Sequence, residues 1–222
     1  RKLRLLFWRT ISTMKIESIS DKPDRAGRYL VRFDNDVSMR LYRQTVEDHA
    51  LFSGKHLSDE ELSLLRNAAG QMSAKMRAVR IVSASSVSKD DLCRRLIQKG
   101  EDPLQAHEAV QWMEDLNLVD DRQTAEQIVN RCVSRGYGIA KAKQMLYEKR
   151  IPKQYWQEAL EDYPDQIEKI TEFLRSRLTS QSDMREKKRA VDALIRRGHS
   201  YSQIRHAMQL LDFEELPEDN YG

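Results

Sequence analysis

The spacing of apolar residues divides the chain into a short strand-like region and a long helical region. Polar and apolar residues alternate over residues 15–19, and this period of two is typical of a half-buried strand. Two further strand-like runs, residues 28–33 and 37–42, flank a turn-forming Asp-Asn-Asp tripeptide. These patterns predict a small three-stranded antiparallel sheet, which needs another element to pack on.

From residue 45 onwards the pattern becomes helical. A short helix is predicted over residues 45–54. Ser58 followed by Glu61 is a capping-box pattern, and it predicts the start of a long helix that ends at the serine-rich stretch 83–86. The predicted apolar stripe of this helix, spaced by three and four residues, is Leu62, Leu65, Ala69, Met72, Met76 and Val79.

The rest of the chain reads as a succession of helices with clear start and stop signals. The predicted starts are Ser88, Asp102-Pro103, Asp120-Asp121, Gly138, Pro152, Pro164, Asp183 and Ser200. The predicted stops include Gly100, Gly136 and Gly198. With only 8 glycines and 5 prolines, the chain lacks the frequent turns of an all-β sandwich or barrel.

Three parts of the helical region align with one another at separations of 50 and 48 residues. In each copy a helix stop follows a leucine by four residues, and an alanine follows the same leucine by thirteen residues. The aligned sets are Leu96, Gly100 and Ala109; Leu146, Arg150 and Ala159; and Leu194, Gly198 and Ala207. A period near 50 with helix pairs inside it predicts tandem helical modules. Because such modules bury their apolar faces partly against their neighbours, we expect an elongated array.

The predicted fold is therefore mainly α, with tandem three-helix modules and a small N-terminal antiparallel β-sheet domain. The expected layout is a β-rich domain with a short helix at 14–57, a long connecting helix at 58–84, and helical modules at 87–136, 137–181 and 182–222, the last truncated and ending in an acidic tail. Residues 1–13 are interpreted as a non-native or flexible extension, dispensable for stability and activity, with Met14 as the natural start.

Charge is segregated along the helical region, although the net charge of the whole chain is only +3. Residues 101–126 contain eight acids and one base, whereas residues 131–153 contain seven bases and one acid. Residues 183–198 contain six bases and three acids, and the tail 212–222 contains five acids and no base. The basic stripe at 131–153 is either a phosphate-binding surface or a solvated helix face.

Aromatic residues offer little further direction. Tyr137, between two glycines beside the basic stripe, either stacks on a nucleotide base or packs on the next helix. Trp112 and Trp156 lie on apolar helix faces and are expected in the core.

The sequence gives no catalytic or metal-binding motif. The five histidines form no metal-spaced pair, and no Cys-x-x-Cys, phosphate-binding glycine loop or nucleophile elbow is present. Asp120 and Asp121 are neighbours, which favours helix capping over metal binding, and Cys93 and Cys132 are expected to be buried free thiols. No apolar run reaches the length of a membrane span. We therefore expect a cytoplasmic, monomeric protein that is not an enzyme and has no cofactor or metal.

An ordered set of residues in the helical region resembles the RecX family. The set is Leu118-Val119-Asp120-Asp121, Ala125, Arg135-Gly136-Tyr137-Gly138, Leu146, Lys149 and Ile151, then Leu194-Ile195-Arg196-Arg197-Gly198 and Ile204, while residues 92–100 match the first repeat. The resemblance covers about residues 70–211, and residues 15–65 are similar to a strand-rich N-terminal extension of some members. The family commonly has an aromatic residue after each helix-ending glycine, where this chain has Glu101 and His199.

The resemblance implies a regulator of the RecA recombinase in DNA repair, recombination and the SOS response. Family members bind the RecA filament on single-stranded DNA, lie in its groove and inhibit ATP hydrolysis and strand exchange. The partner-binding candidates are Arg94, Arg95 and Lys99 in the first module; Arg131, Arg135, Lys141, Lys143 and Arg150 in the second; and Arg189, Arg196, Arg197 and Arg205 in the third. They would dock on acidic RecA surface or on filament phosphates, and both remain open. The alternative functions are a free-standing DNA-binding protein that uses helix pairs and the basic stripe, and a degenerate enzyme or nuclease.

Overall fold

The computed structural model describes residues 13–213, which form two compact units, 13–84 with 93–115 and 85–92 with 116–213. The strands are β1 (Thr13–Ile19), β2 (Arg28–Phe33), β3 (Ser38–Tyr42) and β4 (His56–Ser58). The helices are α1 (Arg43–Asp48), α2 (Asp59–Ala84), α3 (Lys89–Gln98), α4 (Pro103–Asp115), α5 (Asp121–Ser134), α6 (Ile139–Glu148), α7 (Trp156–Leu160), α8 (Ile167–Arg175), α9 (Met184–Arg196) and α10 (Tyr201–Gln209). A 3-10 turn at Lys153–Tyr155 precedes α7. The prediction of a mainly helical protein with a small N-terminal antiparallel sheet is confirmed.

The sheet has four strands in the order β3-β2-β1-β4, one more than the sequence predicts. All neighbours are antiparallel, and β4 pairs with β1 from Thr13 opposite Ser58 to Lys15 opposite His56. With three residues, β4 is too short to show an alternating pattern. Because Thr13 is paired in this sheet, it does not belong to the expected extension. Residues 1–12 lie outside the described residues.

The helix predicted over residues 45–54 is shorter and begins earlier. It is α1, which ends at Asp48. Ala50 then takes a left-handed conformation with φ 44°, and its N–H donates to the carbonyl of Glu47. The chain therefore turns four residues before Gly54.

An apolar cluster joins the sheet to the first turns of α2. Its buried members are Ile16, Val31, Phe33, Leu41, Leu51, Leu57, Leu62 and Leu65. The predicted capping box forms at the start of the helix: the N–H of Glu61 donates to Ser58 Oγ at 3.2 Å, and the N–H of Ser58 donates to Glu61 Oε2 at 2.8 Å. The second bond lowers the pKa of the Glu61 carboxyl group below its usual value.

In its second half α2 turns a different face to the core than the one predicted. Ala74, Ala78 and Ile81 are buried, whereas Met72 and Met76 of the predicted stripe are only half-buried. This half of α2 packs against α4, and alanine side chains allow two helices to approach closely. The predicted stripe is therefore wrong beyond Ala69, which still packs on the apolar cluster beneath the sheet.

Helix starts in the second unit are fixed by side-chain caps. Asp120 accepts hydrogen bonds from the N–H groups of Arg122 and Gln123 at the start of α5. The carboxylate of Asp121 is buried and accepts from the N–H of Lys89 at 2.8 Å, at the start of α3. The two adjacent carboxylates thus cap two different helices, and no group of residues within 13–213 is arranged to hold a metal ion.

Helices α3, α5, α6 and α9 end in the same left-handed turn, which also follows α1 at Ala50 and α10 at Asp212. Gly100, Gly136, Arg150 and Gly198 have φ values between 55° and 90°. In each case the next residue donates its N–H to the carbonyl five positions earlier, which belongs to Leu96, Cys132, Leu146 or Leu194, at 2.9–3.2 Å. This is the Schellman pattern of helix ends. The leucines aligned in the sequence repeat are all buried at equivalent places.

The residue that follows the left-handed position points into the protein, and two of these residues are polar. In the first unit the Glu101 carboxylate lies 2.6 Å from Arg77 Nε and accepts from Ser73 Oγ at 3.0 Å. In the second unit His199 is only 4% exposed, and its Nε2 lies 3.0 Å from the carbonyl oxygen of Gly136. Each polar residue that replaces the aromatic residue of the family therefore has a hydrogen-bond partner.

The turn between α5 and α6 packs directly on the turn between α9 and α10. The N–H of Gly138 donates to the carbonyl of Arg197 at 2.9 Å. A Cβ atom on Gly138 would overlap the Gly198 carbonyl, and one on Gly198 would overlap the backbone nitrogen of Lys141. We call this contact the turn junction; it requires glycine on both sides.

No helix of the described residues is both long and apolar enough to cross a membrane.

The aligned alanines differ in burial, which changes the expected effect of enlarging them. Their shared place in the repeat predicts close helix packing at all three, yet Ala109 and Ala207 are buried and Ala159 is half-buried. Ala207→Leu should lower the free energy of unfolding by about 1–3 kcal/mol through overpacking, and Ala159→Leu should lower it less. Urea unfolding of both variants measures the difference. Equal effects would show that the two helices pack alike.

His199 should make the second unit sensitive to acid. Burial lowers the pKa of its imidazole from the ordinary 6.5, so the unfolded chain gains a proton at a higher pH than the folded chain. The stabilisation by neutral His199 is complete above pH 6.5 and is lost as the pH falls from there towards the folded-state pKa. His199→Gln keeps an N–H donor for Gly136 but does not titrate. Between pH 7.5 and 5.5 this variant should lose less stability than the parent in urea unfolding; equal losses would contradict the role of His199.

Candidate interaction surface

Most of the candidate cations in the first unit are not freely exposed. Arg94 and Arg95 lie half-buried on α3, and each interacts with other residues of the chain. Lys99 follows the helix and is exposed. Its carbonyl accepts a hydrogen bond from Arg77 Nη1 at 3.0 Å. Of the three candidates here, Lys99 is the one whose side chain is open to a partner.

A second group of candidates gathers around the turn junction. Arg131 and Arg135 are exposed at the end of α5, and Lys141 is half-buried in the first turn of α6. Burial raises the pKa of the Cys132 thiol, while these three cations act in the opposite direction, which shows their shared proximity to it. Arg197 approaches the junction from α9, through its carbonyl bond to Gly138.

The cations at the turn junction differ in their freedom. The guanidinium of Arg197 lies 4.6 Å from the centre of the Phe173 ring, in cation–π geometry. Lys141 Nζ donates to Gln144 Oε1 at 2.9 Å, and its backbone lies against Gly198. Arg131 and Arg135 make no ion pair with another described residue. The two α5 arginines are therefore the available charges here.

A separate basic surface lies on the solvent side of α6. Lys143 and Tyr147 are four residues apart, and therefore on one side of the helix. Both are exposed, and Tyr147 is 72% exposed. Arg150, just after the helix, is exposed and pairs with Asp90 at 3.1 Å. Lys153 follows at the 3-10 turn. We call Lys143, Tyr147, Arg150 and Lys153 the α6 face.

The candidates of the third module are also exposed. Arg189 and Arg196 are seven residues apart on α9, and thus on one side of it, and Arg205 lies on α10. None of the three pairs with an acidic side chain in the described part of the chain. Together with Arg131, Arg135 and Lys143 they make up the unpaired positive charge of the second unit's candidates.

The conspicuous aromatic residues of the sequence serve packing. Tyr137 packs on the cluster formed by α5 and α6, and its carbonyl accepts a hydrogen bond from the hydroxyl of Tyr163 at 2.7 Å. Burial raises the pKa of Tyr163 to about 12. Trp112 and Trp156 are half-buried, and Trp156 Nε1 donates to the carbonyl of Ile151 at 2.9 Å. The packing interpretation of Tyr137 therefore agrees with the structure.

Tyr147 and Lys153 are not among the binding candidates that the sequence indicates. The available signal was the four-residue step from Lys143 to Tyr147, which places an aromatic residue beside a lysine. This step alone does not show that Tyr147 lies in solvent, because helix α6 also presents Leu146 to the core. The structure shows that Leu146 is buried and Tyr147 is exposed, so only Tyr147 is available to a partner.

Comparison with known proteins identifies relatives over most of the chain. No family model matches it. The chain is 32% identical to the regulatory protein RecX of Chromohalobacter salexigens over 133 residues, which cover 59% of this chain and 88% of that protein. It is 25% identical to the regulatory protein RecX of Clostridioides difficile over 212 residues, covering 90% of this chain and 96% of the relative. It is 27% identical to the regulatory protein RecX of Streptococcus gordonii, covering 93% and 80%.

Solved structures share the fold. A crystal structure of a regulatory protein RecX matches 88% of this chain and 99% of its own, with a TM-score of 0.61 and 19% identity. RecX from Lactobacillus salivarius matches 65% of this chain and 98% of its own, with a TM-score of 0.56 and 24% identity. At these identities the likeness is one of fold. The similarity to the Chromohalobacter protein, of which nearly nine-tenths is covered, goes further, and on that basis this chain belongs to the RecX family.

Proposed function

We propose that the protein is a non-enzymatic regulator that binds the RecA–DNA filament in its groove and inhibits ATP hydrolysis and strand exchange. The observation that carries the proposal is the set of exposed, unpaired cations in the second unit: Arg131, Arg135, Lys143, Arg189, Arg196 and Arg205. Membership of the RecX family connects these charges to a regulatory role, since the relatives are named regulatory proteins.

The charges suit a filament because it presents two kinds of negative surface, phosphates and acidic side chains. A cation without an acidic neighbour in its own chain has no ion pair to break when it binds such a partner. Its charge also favours correctly oriented encounters with a negative surface. They occur on α5, α6, α9 and α10, so a partner would be held at several points. Binding of this kind should weaken as salt rises.

A free-standing DNA-binding protein would use the same cations, and titration separates the two functions. The measurements are inhibition of RecA ATPase activity on single-stranded DNA and binding to the same DNA without RecA. A filament regulator acts at protein concentrations below RecA and well below those that coat bare DNA. Similar concentrations in both assays would support the DNA-binding protein instead.

Charge reversal at Arg135 and Lys143 should abolish inhibition of RecA ATPase activity without unfolding the protein. Both side chains are exposed and unpaired, and exposed substitutions of this kind usually change stability by within about 0.5 kcal/mol. Lys141 is left unchanged because it lies against Gly198. The measurement is the inhibition curve of Arg135→Glu with Lys143→Glu at low salt, beside circular dichroism and thermal melting.

The matched control reverses two exposed arginines of the first unit, Arg25→Glu with Arg66→Glu, and should inhibit like the parent. Full inhibition by the Arg135 and Lys143 double variant would show that these two charges lie on a solvated surface. Equal loss in the control would show that only total charge matters.

A further inference from the structure

The α6 face presents an aromatic side chain to solvent beside a cleft. Tyr147 is 72% exposed, although the residue before it, Leu146, is fully buried. The cleft has a volume of about 440 Å³, within the range of ligand-binding pockets. Its apolar wall is Ile151, Pro152 and Trp156, and its polar rim is Asp90, Glu148, Arg150 and Lys153.

The wall of the cleft is held in place by hydrogen bonds. Trp156 Nε1 donates to the carbonyl of Ile151 at 2.9 Å, so the indole ring is fixed beside the chain segment that leads from α6 to α7. On the rim, Gln144 Nε2 donates to Glu148 Oε1 at 2.7 Å, which occupies one oxygen of that carboxylate. The cleft is therefore preformed by the fold.

The two acids that line the cleft are matched by two bases, and further lysines lie next to the cleft along the chain. The two acids of the rim are Asp90 and Glu148, and Asp90 is engaged by Arg150. Lys153 lines the cleft, Lys143 lies one helical turn before Tyr147 on α6, and Lys149 directly follows α6. None of the three lysines forms an ion pair with another described residue. An anionic group that approaches Tyr147 would thus meet ammonium groups with no competing partner.

Arg150 places its guanidinium at the rim of the cleft from a backbone conformation that is unfavourable for a residue with a side chain. It has φ 55°, in the left-handed region, where the corresponding residues Gly100, Gly136 and Gly198 are glycines. A side chain in this conformation is disfavoured by contact between Cβ and the backbone, and glycine would relax the turn. The arginine therefore contributes its side chain at a position that the turn itself assigns to glycine.

We propose that the α6 face binds single-stranded DNA directly, with one base stacked on the ring of Tyr147 and the neighbouring phosphates held by Lys143 and Lys153, and by those nitrogens of Arg150 that do not pair with Asp90. Exposed aromatic rings beside cations are the features that bind single strands without sequence preference. Bases of a duplex are already stacked on each other, so the site selects single-stranded DNA. This inference deepens the proposed function and rests on it in one respect: the strand would be the one that RecA coats.

The test uses the whole protein and free oligonucleotides, without RecA. The probes are a fluorescent 20-nucleotide thymidine oligomer and an abasic oligomer of the same length, which has the phosphates without the bases. Anisotropy at low salt should show tighter binding of the thymidine oligomer. Tyr147→Ala should weaken binding of this oligomer by about 5- to 150-fold, the range for loss of one stacked base, and should leave binding of the abasic oligomer unchanged. Tyr147→Trp should restore the preference.

Two further variants separate stacking from charge and from general loss of an aromatic residue. Arg150→Gly relaxes the backbone and removes the cation, so it should keep the fold and weaken binding of both oligomers. Phe52→Ala removes a similarly exposed aromatic side chain, 60% exposed in the first unit, and should bind both oligomers like the parent.

The proposal is overturned if Tyr147→Ala binds the thymidine oligomer as tightly as the parent, if it loses both oligomers equally, or if the parent does not prefer bases to abasic backbone. If Tyr147→Ala loses RecA inhibition but binds both oligonucleotides like the parent, Tyr147 contacts protein rather than DNA. That result would overturn the stacking proposal and leave the proposed filament regulation intact. Normal base preference with no RecA inhibition by the parent would support stacking and contradict the proposed filament regulation.

Discussion

The left-handed turn at the ends of α3, α5, α6 and α9 is the constraint on which the helical structure depends. One residue with positive φ stops the helix, and the next residue bonds back to a buried residue of the last turn. The chain thereby changes direction, and the side chain after the turn is buried at Glu101, Ile151 and His199. The burial of Glu101 and His199, and the contact at the turn junction, both follow from this geometry.

Local features of the fold could be predicted from the sequence, whereas features created by a distant partner could not. The Ser58 and Asp120 caps and the glycine stops involve residues only a few positions apart, so the local sequence is enough to predict them. Strand β4 exists only because β1 offers it an edge. The buried face of α2 likewise changes where α4 packs on it, and no spacing within α2 records that contact.

The same distinction separates the number of candidate charges from their availability. The sequence locates the basic stripe at 131–153 but not which of its members are free. Within the stripe, Arg150 is engaged by Asp90, 60 residues away in the chain. Outside it, the candidate Arg197 lies on the ring of Phe173. Tyr147 becomes a candidate only through its exposure. That exposure depends on which side of α6 packs on the core, and the sequence of α6 alone does not show this.

The direct contact of backbone with backbone at the turn junction has a consequence for dynamics. No side chain separates Gly138 from Gly198, so no rotamer change can loosen the contact gradually. The amide hydrogen of Gly138, bonded to the carbonyl of Arg197, can exchange with deuterium only when that bond opens. The exchange rate of this amide hydrogen therefore reports how often the α5–α6 turn separates from the α9–α10 turn, and it can be measured on the protein alone.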